Sequence, residues 1–155
     1  MATAVDSGRT SVTRPLALVG VDDADRQAAV ARALEELGYR AQVGENTADV
    51  IERLRKTSYE VIVLDEAFQG STPLDNELLG SIQWMPMTVR RYMFIALLGQ
   101  DLKTFDNMMA FAKSVNVVVS YGDLGQLKAI FERGISDNDQ FYRVFRQVLQ
   151  EAGKR

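Results

Sequence analysis

A chain of 155 residues that is 46% hydrophobic and 25% charged has the size and composition of one globular domain, long enough to bury roughly two-thirds of its unfolded surface. It contains no cysteine and no histidine, which excludes disulfides, thiol or imidazole catalysis and zinc sites, and leaves carboxylate-bound ions such as Mg²⁺ as the metals to consider. A net charge of −3 argues against a protein that works by coating nucleic acid.

Residues 1–13 are small and polar without periodicity, and are expected to form a disordered tail or linker. They lack the apolar core of a secretory signal, and no apolar run in the chain approaches the ~18 residues of a membrane span. A cytoplasmic protein is the resulting expectation. Pro15 opens the first strand, Leu16 to Val21, which ends in Asp22-Asp23. A helix follows from Asp25 to about Leu37, with Ala29, Val30, Ala33, Leu34 and Leu37 at three- and four-residue steps and Gly38 as its stop. Tyr39 to Val43 is a short second strand. Residues 46–56 form a second helix with Val50, Ile51 and Leu54 on its buried face.

Val61-Ile62-Val63-Leu64 is a continuous apolar run, three of its residues β-branched, that ends in Asp65-Glu66. A run this short and this apolar reads as a strand buried on both faces, the kind found in parallel sheets. Gly70 to Pro73 is a turn, and Asp75 to Gln83 a short helix with Leu78, Leu79 and Ile82 on one side. Met85-Pro86-Met87 breaks it, and Thr88 to Arg91 leads into a fourth buried strand, Tyr92 to Leu98, ended by Gly99. Asp101 to Ser114 is expected to be helical, with Leu102, Phe105, Met108, Met109 and Ala112 facing the sheet. Val115 to Val119 is a fifth strand, and residues 123–133 a fifth helix interrupted by Gly134. Ser136 to Asp139 reads as the N-cap of a sixth helix with Phe141, Val144, Phe145, Val148 and Leu149 as its apolar stripe.

Strands alternating with helices imply a doubly wound α/β fold: a five-stranded parallel sheet in the order 2-1-3-4-5, helices on both faces, and an additional C-terminal helix. The organisation expected is a tail at 1–13, a main domain at 14–134 and an amphipathic helix at 135–155.

In that strand order the first and third strands are neighbours, so their carboxyl ends bring Asp22, Asp23 and Asp65 to one edge. Three carboxylates held together repel unless a cation joins them, and a hard divalent ion is the usual solution. The alternative reading of Asp65 is that it starts a loop, since Asp is a good turn residue.

With Leu18 to Asp23 as first strand, Val61 to Asp65 as third and this spacing between them, the chain resembles the receiver domain of bacterial two-component response regulators over about residues 14–134. The resemblance implies that Asp65 stands at the phospho-acceptor position and Asp22 and Asp23 at the Mg²⁺-binding pair. It also implies a hydroxyl residue on strand four, a Lys after strand five and a switching aromatic on strand five. At those positions this chain carries Leu98, Tyr121 and Val118. A phosphoryl group brings about −1.5 to −2 charges and needs donors; Leu98 offers none and Tyr121 only a neutral one. The expectation is therefore a pseudo-receiver: a non-enzymatic module of signalling or scaffolding through protein contact, with no cofactor required. One alternative is an atypical receiver still phosphorylated on Asp65 with Mg²⁺. Another is a module that binds a small anion or cyclic dinucleotide through Arg90 and Arg91.

Trp84, Met85, Arg90 and Arg91 have the composition of an interaction surface, since Trp and Arg are enriched at hot spots and Met adapts its shape. The competing reading has Trp84 and Met85 capping the core and the arginines solvated. The side near Phe105 to Tyr121 is a further candidate surface. Phe141 and Phe145 on the last helix must pack back on the domain, join a homodimer or meet a partner groove. Arg143, Arg146, Lys154 and Arg155 make that helix's polar side basic.

Overall fold

The computed structural model describes residues 14–71 and 76–153. The tail expected at 1–13, part of the turn and helix start expected at 70–75, and Lys154 and Arg155 lie outside the described residues.

Five short apolar segments pair into one parallel sheet: β1 (Leu16–Gly20), β2 (Arg40–Val43), β3 (Val61–Asp65), β4 (Phe94–Gly99) and β5 (Val117–Ser120), in the order β2-β1-β3-β4-β5. Every residue of β3 and β4 is buried, because both strands lie inside the sheet with helices over each face. Register aligns Gly20 with Leu64 and Asp65 with Leu98, so the ends of β1, β3 and β4 share one edge.

The alternation of strand side chains divides the core in two. On one face Val61, Val63, Ala96, Leu98, Val117 and Val119 meet α1 (Ala24–Glu36) and α6 (Leu127–Glu151). On the other, Ile62, Leu64, Ile95, Leu97 and Val118 meet α2 (Thr47–Lys56), α3 (Glu77–Gln83) and α5 (Asn107–Lys113). The single-turn α4 (Met87–Arg90) precedes β4, where the sequence suggested only a connection. α1, α2, α3 and α5 start on Asp or Asn caps: Asp23, Asn46, Asn76 and Asp106 each accept a backbone N–H of the first turn.

Two expectations are corrected. The helix after β4 begins at Asn107 rather than Asp101, because Asp106 supplies its cap and Phe105 adopts a left-handed backbone, φ 66°, just before it. The shift changes the buried face: Leu102 and Ala110 are buried, whereas Met108 and Ala112 are exposed. The second correction concerns Gly134. It does not interrupt the chain, and Ser136 to Asp139 lie within one continuous 25-residue helix, α6, preceded by a 3-10 turn over Tyr121–Gln126. Gly134 is instead a close approach, since a Cβ there would lie 2.7 Å from the ring of Phe94. In an open helix Gly→Ala stabilises by about 1 kcal/mol. Here Gly134→Ala is expected to reverse that sign and cost about 1–2 kcal/mol, measured by chemical denaturation, because the added methyl must push the buried Phe94 ring aside.

Candidate functional site

The carboxyl edge of the sheet gathers the acidic residues, but each is already engaged. Asp65 is fully buried at the end of β3. Its Oδ2 accepts from Arg26 Nε at 2.8 Å, and its Oδ1 accepts from the Tyr121 hydroxyl and from the backbone N–H of Ala67 at 3.0 Å. The Arg26 guanidinium also lies 4.1 Å from the centre of the Tyr121 ring. Arginine, tyrosine and aspartate therefore form a closed triad in which each side chain touches the other two.

Local structure explains the positions. Asp23 caps α1, and Arg26, three residues later, faces the sheet edge within the first turn. A cation there works against the helix dipole, but Asp65 at 2.8 Å and Asp23 at 3.8 Å compensate. Burial opposes the charge on Arg26, yet its bond to Asp65 and their mutual attraction keep its pKa above the ordinary value. Tyr121 opens the 3-10 turn after β5. Burial first, and then the hydrogen bond and negative charge of Asp65, push its phenol well above the usual tyrosine range. It stays protonated and donates.

Asp22 turns outward and accepts from both the backbone N–H and the side-chain amide of Gln69, at 2.9 and 3.1 Å. These bonds hold the turn after β3, where Gln69 has a left-handed backbone, φ 56°. The three-carboxylate cluster suggested by the strand order is thus drawn apart. Asp22 goes to Gln69, while Asp23 and Asp65 go to a guanidinium supplied by the chain itself. Among the described residues no group of three acids is arranged to hold a metal ion, and this donor set does not fit Mg²⁺, because an internal cation already takes up the charge.

Leu98 pairs with Asp65 in the ladder and is fully buried in the core beneath α1 and α6. Val118 is fully buried against the opposite face of the sheet from that core, and Tyr121 alone of these three positions reaches the carboxylate. Glu66 belongs to a separate cluster. It is buried over Gly99, where any Cβ would collide with its carboxylate, and its Oε2 lies 3.9 Å from Lys113 Nζ. Burial raises the Glu66 pKa, with Lys113 opposing the rise.

Arg26, Gln69, Lys113 and Thr104, whose hydroxyl binds Asp123 and the backbone N–H of Ser120, escaped the sequence reading, and Glu66 entered it only as the acid following Asp65. For Arg26 a signal existed: an arginine in the first turn of a helix needs a nearby anion.

The surface candidates separate. Trp84 is 87% exposed at the end of α3, while Met85 packs partly against the core. Arg90 is half-buried, and Arg91 lies 5.4 Å from the Phe145 ring centre. The stripe on α6 does not fold back on the domain: Phe141, Val144 and Val148 are more than half exposed. Near Phe105 to Tyr121, Met108 and Phe111 are exposed.

Removing one partner of a buried ion pair leaves the other charge uncompensated. Arg26→Met is expected to cost about 3 kcal/mol or more, and Tyr121→Phe about 1.5–3, both read from urea denaturation. Glu66 gives a pH signature. Its pKa is raised in the folded state, so folding binds a proton and stability falls as pH rises from the unfolded value toward the folded one. The melting temperature of the wild type relative to that of Glu66→Gln, followed upward from pH 4, should show this decline, because Glu35, Asp49 and Glu52, held below their ordinary values, act in the opposite direction in both proteins.

With this geometry established, comparison with known proteins identifies the fold. No family model and no curated protein sequence matches the chain. Solved structures do. A response regulator from Hahella chejuensis superposes with a TM-score of 0.60 at 20% identity, covering 80% of this chain and 97% of its own. A CheY-like receiver domain protein from Methanospirillum hungatei gives 0.62 at 11% identity, covering 83% and 98%. A response regulator from Thermotoga maritima gives 0.60 at 19%, covering 80% and 99%. The fold is that of response-regulator receiver domains.

Proposed function

We propose that this domain is a signalling module of the receiver fold that acts through protein contact and without phosphorylation control. The observation that carries this reading is the closed triad. Both oxygens of Asp65 are bound within the protein, and the side chain is fully buried. A phosphoryl donor would have to displace Arg26 or Tyr121 from a buried charge, which costs several kcal/mol. Leu98 offers no hydroxyl to a phosphate, and Lys113 approaches Glu66. On this reading the domain performs no turnover and requires no cofactor. Its contacts come from exposed apolar side chains, Trp84 and the α6 stripe above all. Exposed aromatic groups of this size are the usual anchors of protein interfaces.

The test is incubation with acetyl phosphate and Mg²⁺ followed by intact mass measurement, and titration with beryllofluoride followed by amide NMR. The expected result is no phosphoryl adduct and no shifts at Ala67 or Tyr121. A stoichiometric adduct that disappears in Asp65→Asn would overturn the proposal and make the domain a working receiver.

A further inference from the structure

At the opposite edge of the sheet, where the strands begin, a groove of about 800 Å³ opens between α6, the loop before β3 and the segment from α4 into β4. This size suits a small-molecule site. Its lining carries four cations, Arg55, Lys56, Arg91 and Arg146, against two acids, Glu60 and Asp139, in a chain whose net charge is −3. Arg55 and Lys56 are matched by Glu52. Among the described residues Arg91 and Arg146 have no carboxylate partner, and Glu60 and Asp139 have no cationic one.

Aromatic surface completes the site. Tyr92, 61% exposed, and Tyr142 line the groove. Tyr142 is braced edge-on by Phe141 and Phe145, with ring centres at 5.0 and 6.1 Å. Arg91 is set over Phe145. The buried Nε of Arg90, at the end of α4 and next to Arg91, has no hydrogen-bond acceptor among the described residues. Arg90 as a whole is half-buried, while Arg91 and Arg146 line the groove itself, with Arg91 Nε donating to the Met87 carbonyl at 3.3 Å.

We infer that this groove is a nucleotide-binding site: Arg91 and Arg146 hold the phosphate, the base lies against Tyr92 and Tyr142, and Glu60 or Asp139 accepts an N–H or O–H of base or ribose. Arginine matches phosphate geometry and also stacks on rings, and tyrosine faces accept a base of any sequence. Free phosphate would leave the rings and acids unused, and a nucleoside would leave the arginines unused. The site lies at the other end of the sheet from Asp65, so it stands or falls independently of the function proposed above.

The experiment uses the full chain and a panel of AMP, ADP, ATP, GTP and cyclic di-GMP. Pyrophosphate serves as the phosphate-only control and adenosine and guanosine as the ring-only controls. Binding is followed by calorimetry and by amide shifts at Arg91, Tyr92 and Tyr142. At least one nucleotide is expected to saturate, with both types of control weaker by roughly tenfold or more, about 1.4 kcal/mol. Arg146→Ala, on an exposed side chain, should weaken that nucleotide by a similar factor with an unchanged melting temperature. The inference is overturned if no nucleotide saturates, if pyrophosphate binds equally well, or if Arg146→Ala leaves affinity unchanged.

Discussion

A carboxylate with no access to water constrains this molecule more than any other group. Asp65 ends the central strand, fully buried, and an isolated charge there would be costly. The chain resolves this with a guanidinium from the first turn of α1 and a phenol from the turn after β5. The consequence is mechanical as well as electrostatic. Elements that are far apart in sequence, α1, the end of β3 and the turn beyond β5, are joined at one point. Asp22, freed from any shared cation, ties down the turn after β3 through Gln69.

A site of this kind differs from one built around an exchangeable ion. A bound metal can leave and a phosphoryl group can arrive, and each event changes the local charge. An arginine of the same chain stays tethered beside the carboxylate and can leave it only by leaving a buried charge without a partner. Tyr121, whose ring receives the guanidinium and whose hydroxyl binds the carboxylate, closes the arrangement on the side of β5. The geometry is that of an internal salt bridge closed by a phenol hydroxyl.

The two ends of the domain are accordingly unlike. The carboxyl edge is satisfied internally. The opposite end carries Arg91 and Arg146, without a carboxylate partner among the described residues, exposed tyrosine and the bare apolar stripe of α6. α6 runs unbroken through Gly134, where it approaches Phe94 closely, and continues past the core with its aromatic residues exposed. The groove and the stripe both result from that continuity.

The strands, their order, the two-layer helical cover and the convergence of Asp22, Asp23 and Asp65 at one sheet edge were legible in the sequence, because apolar runs and three-to-four-residue periodicity are local and burial enforces them directly. Local patterns misled where a residue had two uses. Gly134 looked like a helix stop and is a packing contact. Asp101 looked like a helix start, although Asp106 is the cap. The partners of the carboxylates were beyond reach, since Arg26, Gln69 and Tyr121 lie 39, 47 and 56 residues from the acids they bind. The sequence by itself determined that the acids share an edge. Only tertiary structure decided that an arginine of the same chain neutralises Asp65, because which side chain reaches a buried charge depends on packing between elements, and no periodicity records that.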